Sequence, residues 1–156
     1  MSVDRGYVKS NDTERARLRA LVEQCTDAQL AHPLPAGWTV AGVLGHLAFW
    51  DQRIIALLDQ WERAGVAPPP HHESDVDWIN DATKPMLLAV APRTAARLTL
   101  EIAETVDRRV AAVSDDLATK NAAAGSPLNL DRGVHRREHL DEIEHVLSGA
   151  AVTPRR

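Results

Sequence analysis

The chain has 156 residues, a length sufficient for one domain with one hydrophobic core. Its formal charge is −4 and its pI is near 5.9. An acidic chain without a basic patch argues against nucleic acid as the main partner. The single cysteine, Cys25, excludes an internal disulfide framework and is typical of a protein of the reducing cytoplasm.

Neither a targeting segment nor a membrane span is expected. The first ten residues lack the apolar run of a signal peptide. The longest uncharged stretch, residues 28–50, contains prolines and histidines, which disfavour a membrane span. We expect a single domain over residues 1–156, with residues 1–10 and 150–156 as loose termini.

Apolar residues at helical spacing predict two helices in the first half of the chain. Asn11, followed three residues later by Glu14, resembles a capping pair at the start of the first helix, which ends near residue 27. The segment LAHPLPAGW is a loop, because prolines and glycine stop the helix. The second helix follows Thr39, a plausible N-cap, and continues to about residue 64.

A stiff, proline-rich linker, GVAPPPHHES, follows the second helix. Ser74 or Asp75 starts a further helical segment, which Pro85 is expected to kink or divide. Thr94 is a candidate cap for the third main helix, whose apolar face continues to Leu117.

The last helix is predicted to open at Asn129 or Asp131 and to continue to Leu147, before a stop at Gly149. The four main helices and the absence of alternating strand patterns predict an all-α fold, a four-helix bundle. A crossover of roughly thirty residues between the second and third helices permits a parallel pair of neighbours.

Three histidines border the apolar faces of two predicted helices. At about 100° per residue, His135 and His139 share one stripe of the last helix, and His46 lies at the edge of the second helix's apolar face. Imidazoles on two facing helices can bind a divalent metal and leave a position open for water or substrate. A hydrogen-bonded structural histidine is the alternative at each position, and spacing alone does not decide between them.

Two other interpretations of the same stretch are weaker. The residues His135 to His139 spell H-x-x-E-H, the motif of inverted zinc proteases, but only seventeen residues follow, too few for the further acidic ligand and larger scaffold. Glu138 is expected to point about 60° away from His135 and so to miss the site. His145 is expected on the other side of the apolar face.

Two segments resemble the DinB-like superfamily of metal-binding four-helix bundles. GWTVAGVLGHLAFWD, residues 37–51, is similar to the family's tryptophan-led start of the second helix and its His-Leu pair. HRREHLDEI, residues 135–143, is similar to the family's His-x-x-x-His on the last helix. The order of elements, the long crossover and the length agree over nearly the whole chain.

The resemblance implies a metal triad of His46, His135 and His139. In the maleylpyruvate isomerase branch the second ligand is an acid, so His135 places this chain nearer the three-histidine members. The resemblance also implies a left-handed connection, a homodimer, and the use of a low-molecular-weight thiol such as mycothiol at the metal. Since imidazole suits several divalent ions, zinc or nickel is the expected metal.

The leading hypothesis is therefore a cytoplasmic, metal-dependent S-transferase or isomerase that acts on a small-molecule substrate with a small thiol. The alternatives are a metal- or ligand-sequestering protein without turnover, and a metal-dependent hydrolase of a small molecule.

Four further residues are candidates for the pocket lining. Trp50 lies one turn after His46, and Asn80 lies in the crossover, where relatives often carry an asparagine. Arg53 and Arg132 could hold an acidic substrate or a thiol's carboxylate, or could be solvated surface charges.

Three further groups of residues have aromatic, reactive or metal-binding side chains but are not expected to form a functional site. Most of the four tryptophans are expected in the core. Cys25 is expected to be a buried, inert thiol. The adjacent His71, His72 and Glu73 are expected to form a solvated loop, because neighbouring linker residues rarely converge on one ion.

Overall fold

A computed structural model describes residues 3–149 of the chain, and its regular structure is helical apart from one isolated bridge between Pro33 and Thr39. Within that range no helix has the length and apolar character to cross a membrane. The α-helices are α1 (Gly6–Gln24), α2 (Asp27–Leu30), α3 (Val40–Ala64), α4 (Glu73–Ala89), α5 (Pro92–Ala111), α6 (Asp115–Ala123) and α7 (Gly133–Leu147).

The helices pack on one another through two clusters of buried apolar side chains, which confirms the all-α class. Helix α1 contacts α5 and α7, and α3 contacts the same two helices from the other side, while α4 packs on α3. Leu44 of α3 and Leu140 and Ile143 of α7 are fully buried between them. Each such side chain contributes about 1.5–3 kcal/mol of hydrophobic stabilisation.

Helix α3 begins and ends where the sequence predicts. The Thr39 hydroxyl accepts a hydrogen bond from the Gly42 amide at 3.0 Å, which satisfies one amide at the helix start. The helix ends at Gly65, which has a φ of 70°, a left-handed conformation that glycine adopts without strain.

The predicted start of the first helix was wrong. Helix α1 begins at Gly6, so residues 6–10 are helical and do not belong to a loose terminus, and Asn11 and Glu14 lie inside the helix as buried residues. The expected loose segment 150–156 lies outside the described residues.

The crossover between α3 and α5 contains the continuous helix α4, which Pro85 does not divide. Proline lacks the amide that would bond the Asp81 carbonyl, but both residues are exposed, so water can reach that carbonyl. Two residues before Pro85, the Thr83 hydroxyl donates to the Ile79 carbonyl at 2.9 Å.

Three other predicted boundaries also differ. Helix α5 begins at Pro92, because proline is favoured in the first turn, and Thr94 lies inside it. Helix α5 ends at Ala111, and Ser114 caps the separate helix α6 by accepting from the Leu117 amide at 3.1 Å. Helix α7 begins at Gly133, later than predicted.

Asn11 caps the start of α7 from another helix. Its side-chain oxygen accepts hydrogen bonds from the amides of Arg132, at 2.7 Å, and Gly133, at 2.9 Å, while its Nδ2 donates to the Leu130 carbonyl at 3.0 Å. The backbones approach so closely that a Cβ on Gly133 would lie 2.7 Å from the Ser10 carbonyl oxygen. Asn11 therefore fixes the start of α7 against α1.

Replacing Asn11 by alanine is expected to lower the free energy of unfolding by about 2–4 kcal/mol, because the Arg132 amide and the Leu130 carbonyl lose their partner at a site that is 1% exposed. The Gly133 amide keeps only the Asp131 carboxylate. Urea unfolding measures the change. Asn129→Ala is the matched control, since exposed Asn129 accepts only from the nearby Asp131 amide, and it is expected to cost less than about 1 kcal/mol. Equal costs for the two variants would contradict the capping role.

Candidate metal centre

Helices α3 and α7 bring His46, His135 and His139 together. One ring nitrogen from each lies within 4.8 Å of the others, and the Nε2 atoms of His46 and His135 are 3.2 Å apart. The ring centroid of His139 is 4.9 Å from those of both other rings. Among residues 3–149 no other group of three potential ligands meets the same distance limit.

A buried ion-pair network beside the histidines joins α3 to α7. Asp51, five residues after His46, accepts from Arg132 Nε at 2.8 Å and from Arg136 at 3.0 Å. Arg136 also forms two bonds of 2.8 Å with Asp107 of α5. Because Arg132 and Arg136 flank His135 on α7, their pairing with Asp51 fixes the position of that helix relative to His46.

Burial favours the neutral form of all three imidazoles. Burial, followed by repulsion from the charged form of His139, lowers the pKa of His46 from 6.5 to about 4. Burial and the neighbouring charges lower the pKa of His135 to about 2. Burial also lowers the pKa of His139, although Glu142 and Glu138 act in the opposite direction. Neutral imidazole is the form that binds metal ions.

The residues present fit a divalent metal ion. The Nδ1 atoms of His46 and His139 are buried and have no hydrogen-bond partner in the protein. The Nε2 atoms of His46 and His135, which approach to 3.2 Å, are the facing donors that a cation would bind, and the unpaired Nδ1 atom of His46 lies on the other side of its ring. Three nitrogen ligands from protein also suit an ion that keeps a position for an exogenous molecule.

The metal-free protein is expected to lose stability as the pH falls from about 7 to about 4. In that range the unfolded chain protonates histidines that the folded chain keeps neutral, so the free energy of unfolding decreases with falling pH. One pKa unit corresponds to about 1.4 kcal/mol, so His46 alone contributes on the order of 3 kcal/mol. Urea unfolding in the presence of a chelator measures this dependence.

The control for this pH series is His46→Phe, which keeps an aromatic ring and removes one titrating group. We expect a shallower dependence between pH 6.5 and 4 in the variant than in the wild type. Equal slopes for the two proteins would contradict a neutral, buried His46.

The histidines lie in the wall of a cavity of about 760 Å³. The ring centroids of Trp38 and Trp50 are 5.7 and 6.5 Å from that of His46. The Trp50 Nε1 donates to the Asn80 side chain of α4 at 2.9 Å. The cavity is therefore large enough for a small organic molecule next to the imidazoles, between aromatic walls.

The four predicted pocket residues Trp50, Arg53, Asn80 and Arg132 all line this cavity. Their roles in binding stay predictions. Arg132 is not a solvated surface charge, because it is buried and its Nε is bonded to Asp51. Asn80 is occupied in positioning Trp50.

Glu138 is not in the group of clustered potential ligands, which agrees with the prediction that it points off the histidine stripe, but it lines the cavity, as does Glu142. The opening is broad enough to include side chains at the margin of the histidine stripe. Sequence reasoning also missed Lys84, which lies 5.2 Å from the centroid of the Trp38 ring. Its only signal was a position one turn after Asn80.

The other expectations have mixed outcomes. Cys25 is buried, and burial raises the pKa of its thiol, as expected for an inert cysteine. Trp78 is 59% exposed on α4 and is not a core residue. His71 is exposed, as predicted, but it also lines the cavity and lies 3.3 Å from an Arg53 nitrogen.

A family model, that of the DinB superfamily, matches residues 11–142 of the chain. Neither a curated protein nor a solved structure matches the chain significantly. The residues that the family model matches include all three histidines.

Proposed function

The chain belongs to the DinB superfamily, and we propose that it binds a divalent metal and acts as a metal-dependent S-transferase or isomerase with a low-molecular-weight thiol such as mycothiol. One observation carries the proposal: three neutral imidazoles, with nitrogens within 4.8 Å of one another, open into a cavity for small molecules. Zinc or nickel is the proposed ion, since imidazole suits both.

His46, His135 and His139 would hold the ion, which when bound would lower the pKa of a thiol and so supply a nucleophile at neutral pH. The surrounding residues have separate tasks. Trp38 and Trp50 exclude water from the imidazoles, and Asn80 fixes the orientation of Trp50. This dry wall strengthens the electrostatic interactions of a charged nucleophile.

The proton released by the thiol needs an acceptor in the cavity. The carboxylates of Glu138 and Glu142 lie near enough to His139 to affect its pKa, and both line the opening. We assign them the role of passing this proton to solvent. The electrophile then occupies the remaining part of the cavity, near Val76 and Ile54.

The proposal extends to the architecture. The contacts among α1, α3, α5 and α7 support a four-helix bundle of DinB-like type, in which α4 belongs to the long crossover. A left-handed connection is part of the same proposal. A homodimer in the cytoplasm is the proposed state, with small molecules rather than nucleic acid or membrane as partners.

A turnover assay tests the activity. Zinc- and nickel-loaded protein is incubated with the electrophile monochlorobimane and with mycothiol, bacillithiol, glutathione or cysteine in turn. We expect thioether formation that requires both metal and thiol and is lost in His139→Ala. Turnover without thiol, on a panel of esters and amides, would favour the hydrolase instead. No turnover with any of these would leave a metal- or ligand-sequestering protein.

A further inference from the structure

Arg53 is a half-buried cation of the cavity wall that has no acidic partner. Its guanidinium lies 5.6 Å from the centroid of the Trp50 ring, and one of its nitrogens lies 3.3 Å from His71 Nδ1. Within residues 3–149 no carboxylate oxygen lies within 4.0 Å of it. Burial, and then repulsion from Arg132, lowers the pKa of Arg53.

The other arginine of the cavity, Arg132, has a carboxylate partner and serves as a comparison for Arg53. Arg132 is more deeply buried than Arg53, and its Nε donates to the Asp51 carboxylate at 2.8 Å. Its Nη1 also approaches the Asn129 carbonyl at 3.4 Å. The protein therefore pairs the arginine that holds α7 in place and leaves the arginine beside Trp50 without a counter-charge.

The remaining charges of the cavity lie on other elements. The Lys84 ammonium of α4 already donates a hydrogen bond to the Ala36 carbonyl. The carboxylates belong to α4, as Asp81, and to α7, as Glu138 and Glu142. Within the described residues Arg53 is the one guanidinium of the cavity without a carboxylate partner, although one of its nitrogens lies 3.3 Å from His71 Nδ1, and it lies on α3, seven residues after His46.

A partly desolvated cation without a counter-charge is unfavourable, and an anionic group of a ligand would compensate it. The guanidinium fork matches a carboxylate, with two parallel N–H bonds available. A cation–π contact with the Trp50 ring limits the positions that the guanidinium can take. These features select an acid over a neutral molecule of equal size.

We propose that Arg53 binds the carboxylate of an organic acid that occupies the cavity, either on the thiol or on the second substrate. This proposal rests on the thiol-dependent function above and names the class of molecule that the site accepts. Arg53 is thus a specificity-determining residue. Arg53 follows His46 by seven residues on α3, about two turns or ~10 Å along the helix, so a spacer is required between the reacting atom and the acid group.

The first arm of the test uses thiols that differ only in the acid group. Cobalt-loaded protein is titrated with 3-mercaptopropionate, 6-mercaptohexanoate and 8-mercaptooctanoate, each beside the alcohol of the same length, and thiolate absorption bands give the dissociation constants. We expect one of the longer acids to bind about tenfold or more tightly than its alcohol, as a charge-assisted pair permits. Arg53→Met should remove this preference, and Arg53→Lys should retain part of it.

The second arm separates the two sources of the acid. With the thiol position saturated by a neutral alkanethiol, calorimetry compares phenylacetate with phenylacetamide. An Arg53-dependent preference only here assigns the carboxylate to the second substrate, and a preference only in the first arm assigns it to the thiol. Arg97→Met is the control, because Arg97 is an exposed arginine of α5 outside the cavity, and it should leave both preferences unchanged.

The outcomes separate the two proposals. If the thiols bind but neither arm shows a preference that Arg53→Met removes, Arg53 is not an acid anchor and the thiol-dependent function stands. If no thiol binds, the thiol-dependent function fails, and an Arg53-dependent preference for phenylacetate, measured then without the alkanethiol, still supports the anchor. If phenylacetate also shows no such preference, both proposals are overturned.

Discussion

Replacing Arg136 by methionine is expected to lower the free energy of unfolding by about 3–5 kcal/mol, the usual cost of removing one partner from a buried ion pair. Arg136 is 0% exposed and bonds carboxylates on two different helices, Asp51 and Asp107. Burial lowers the pKa of its guanidinium, but the two carboxylates together outweigh burial and raise it. In Arg136→Met the two buried acids lose this cation, although Arg132 and Arg15 still pair with them.

The next residue in the sequence provides the control. Arg137 is about half exposed and pairs with Glu14 at 3.2 Å, and Glu14 keeps Arg17 as a second partner. Arg137→Met is therefore expected to cost about 1 kcal/mol or less. Chemical unfolding of both variants measures the difference. If Arg136→Met were as stable as Arg137→Met, the buried network would not be what joins α7 to α3 and α5.

Replacing His135 by alanine is expected to weaken zinc and nickel binding by at least about a hundredfold. Loss of an outer partner of a metal ligand already costs about 10–100-fold in affinity, and His135 is one of only three proposed ligands. Competition titration with a chromophoric chelator measures the dissociation constants. Circular dichroism of the metal-free variant checks that α7 is intact.

His145→Ala is the matched control, since it removes an imidazole from the same helix at an exposed position outside the cavity. We expect its metal affinity to equal that of the wild type. Equal loss in both variants would mean that the helix, and not the position of His135, governs binding. An unchanged affinity in His135→Ala would exclude this residue as a ligand.

The features predicted well from the sequence are those that depend on local spacing. His135 and His139 are four residues apart, which places them on one face of any helix. Helix α3 carries its own start and stop signals at Thr39 and Gly65. The proximity of His46 to the other two histidines also follows from the apolar faces, because each histidine borders a face that must be buried.

The features that were missed depend on partners distant in sequence. Asn11 has the local pattern of a capping residue, but the amides that it satisfies belong to residues 132 and 133. Arginine is usually a surface residue, so nothing in the sequence indicates that Arg132 is buried. Only the packing of α7 against α3 shows its pairing with Asp51. Helical periodicity gives the direction of a side chain on its own helix and not the identity of the residue that it meets.

Elemental analysis of untagged protein tests the central claim, that three histidines bind one divalent ion, most directly. After loading with zinc or nickel and dialysis, we expect one ion per chain in the wild type and a loss of that ion in His139→Ala. Clearly substoichiometric metal in the wild type, or an unchanged metal content in His139→Ala, would contradict the three-histidine site.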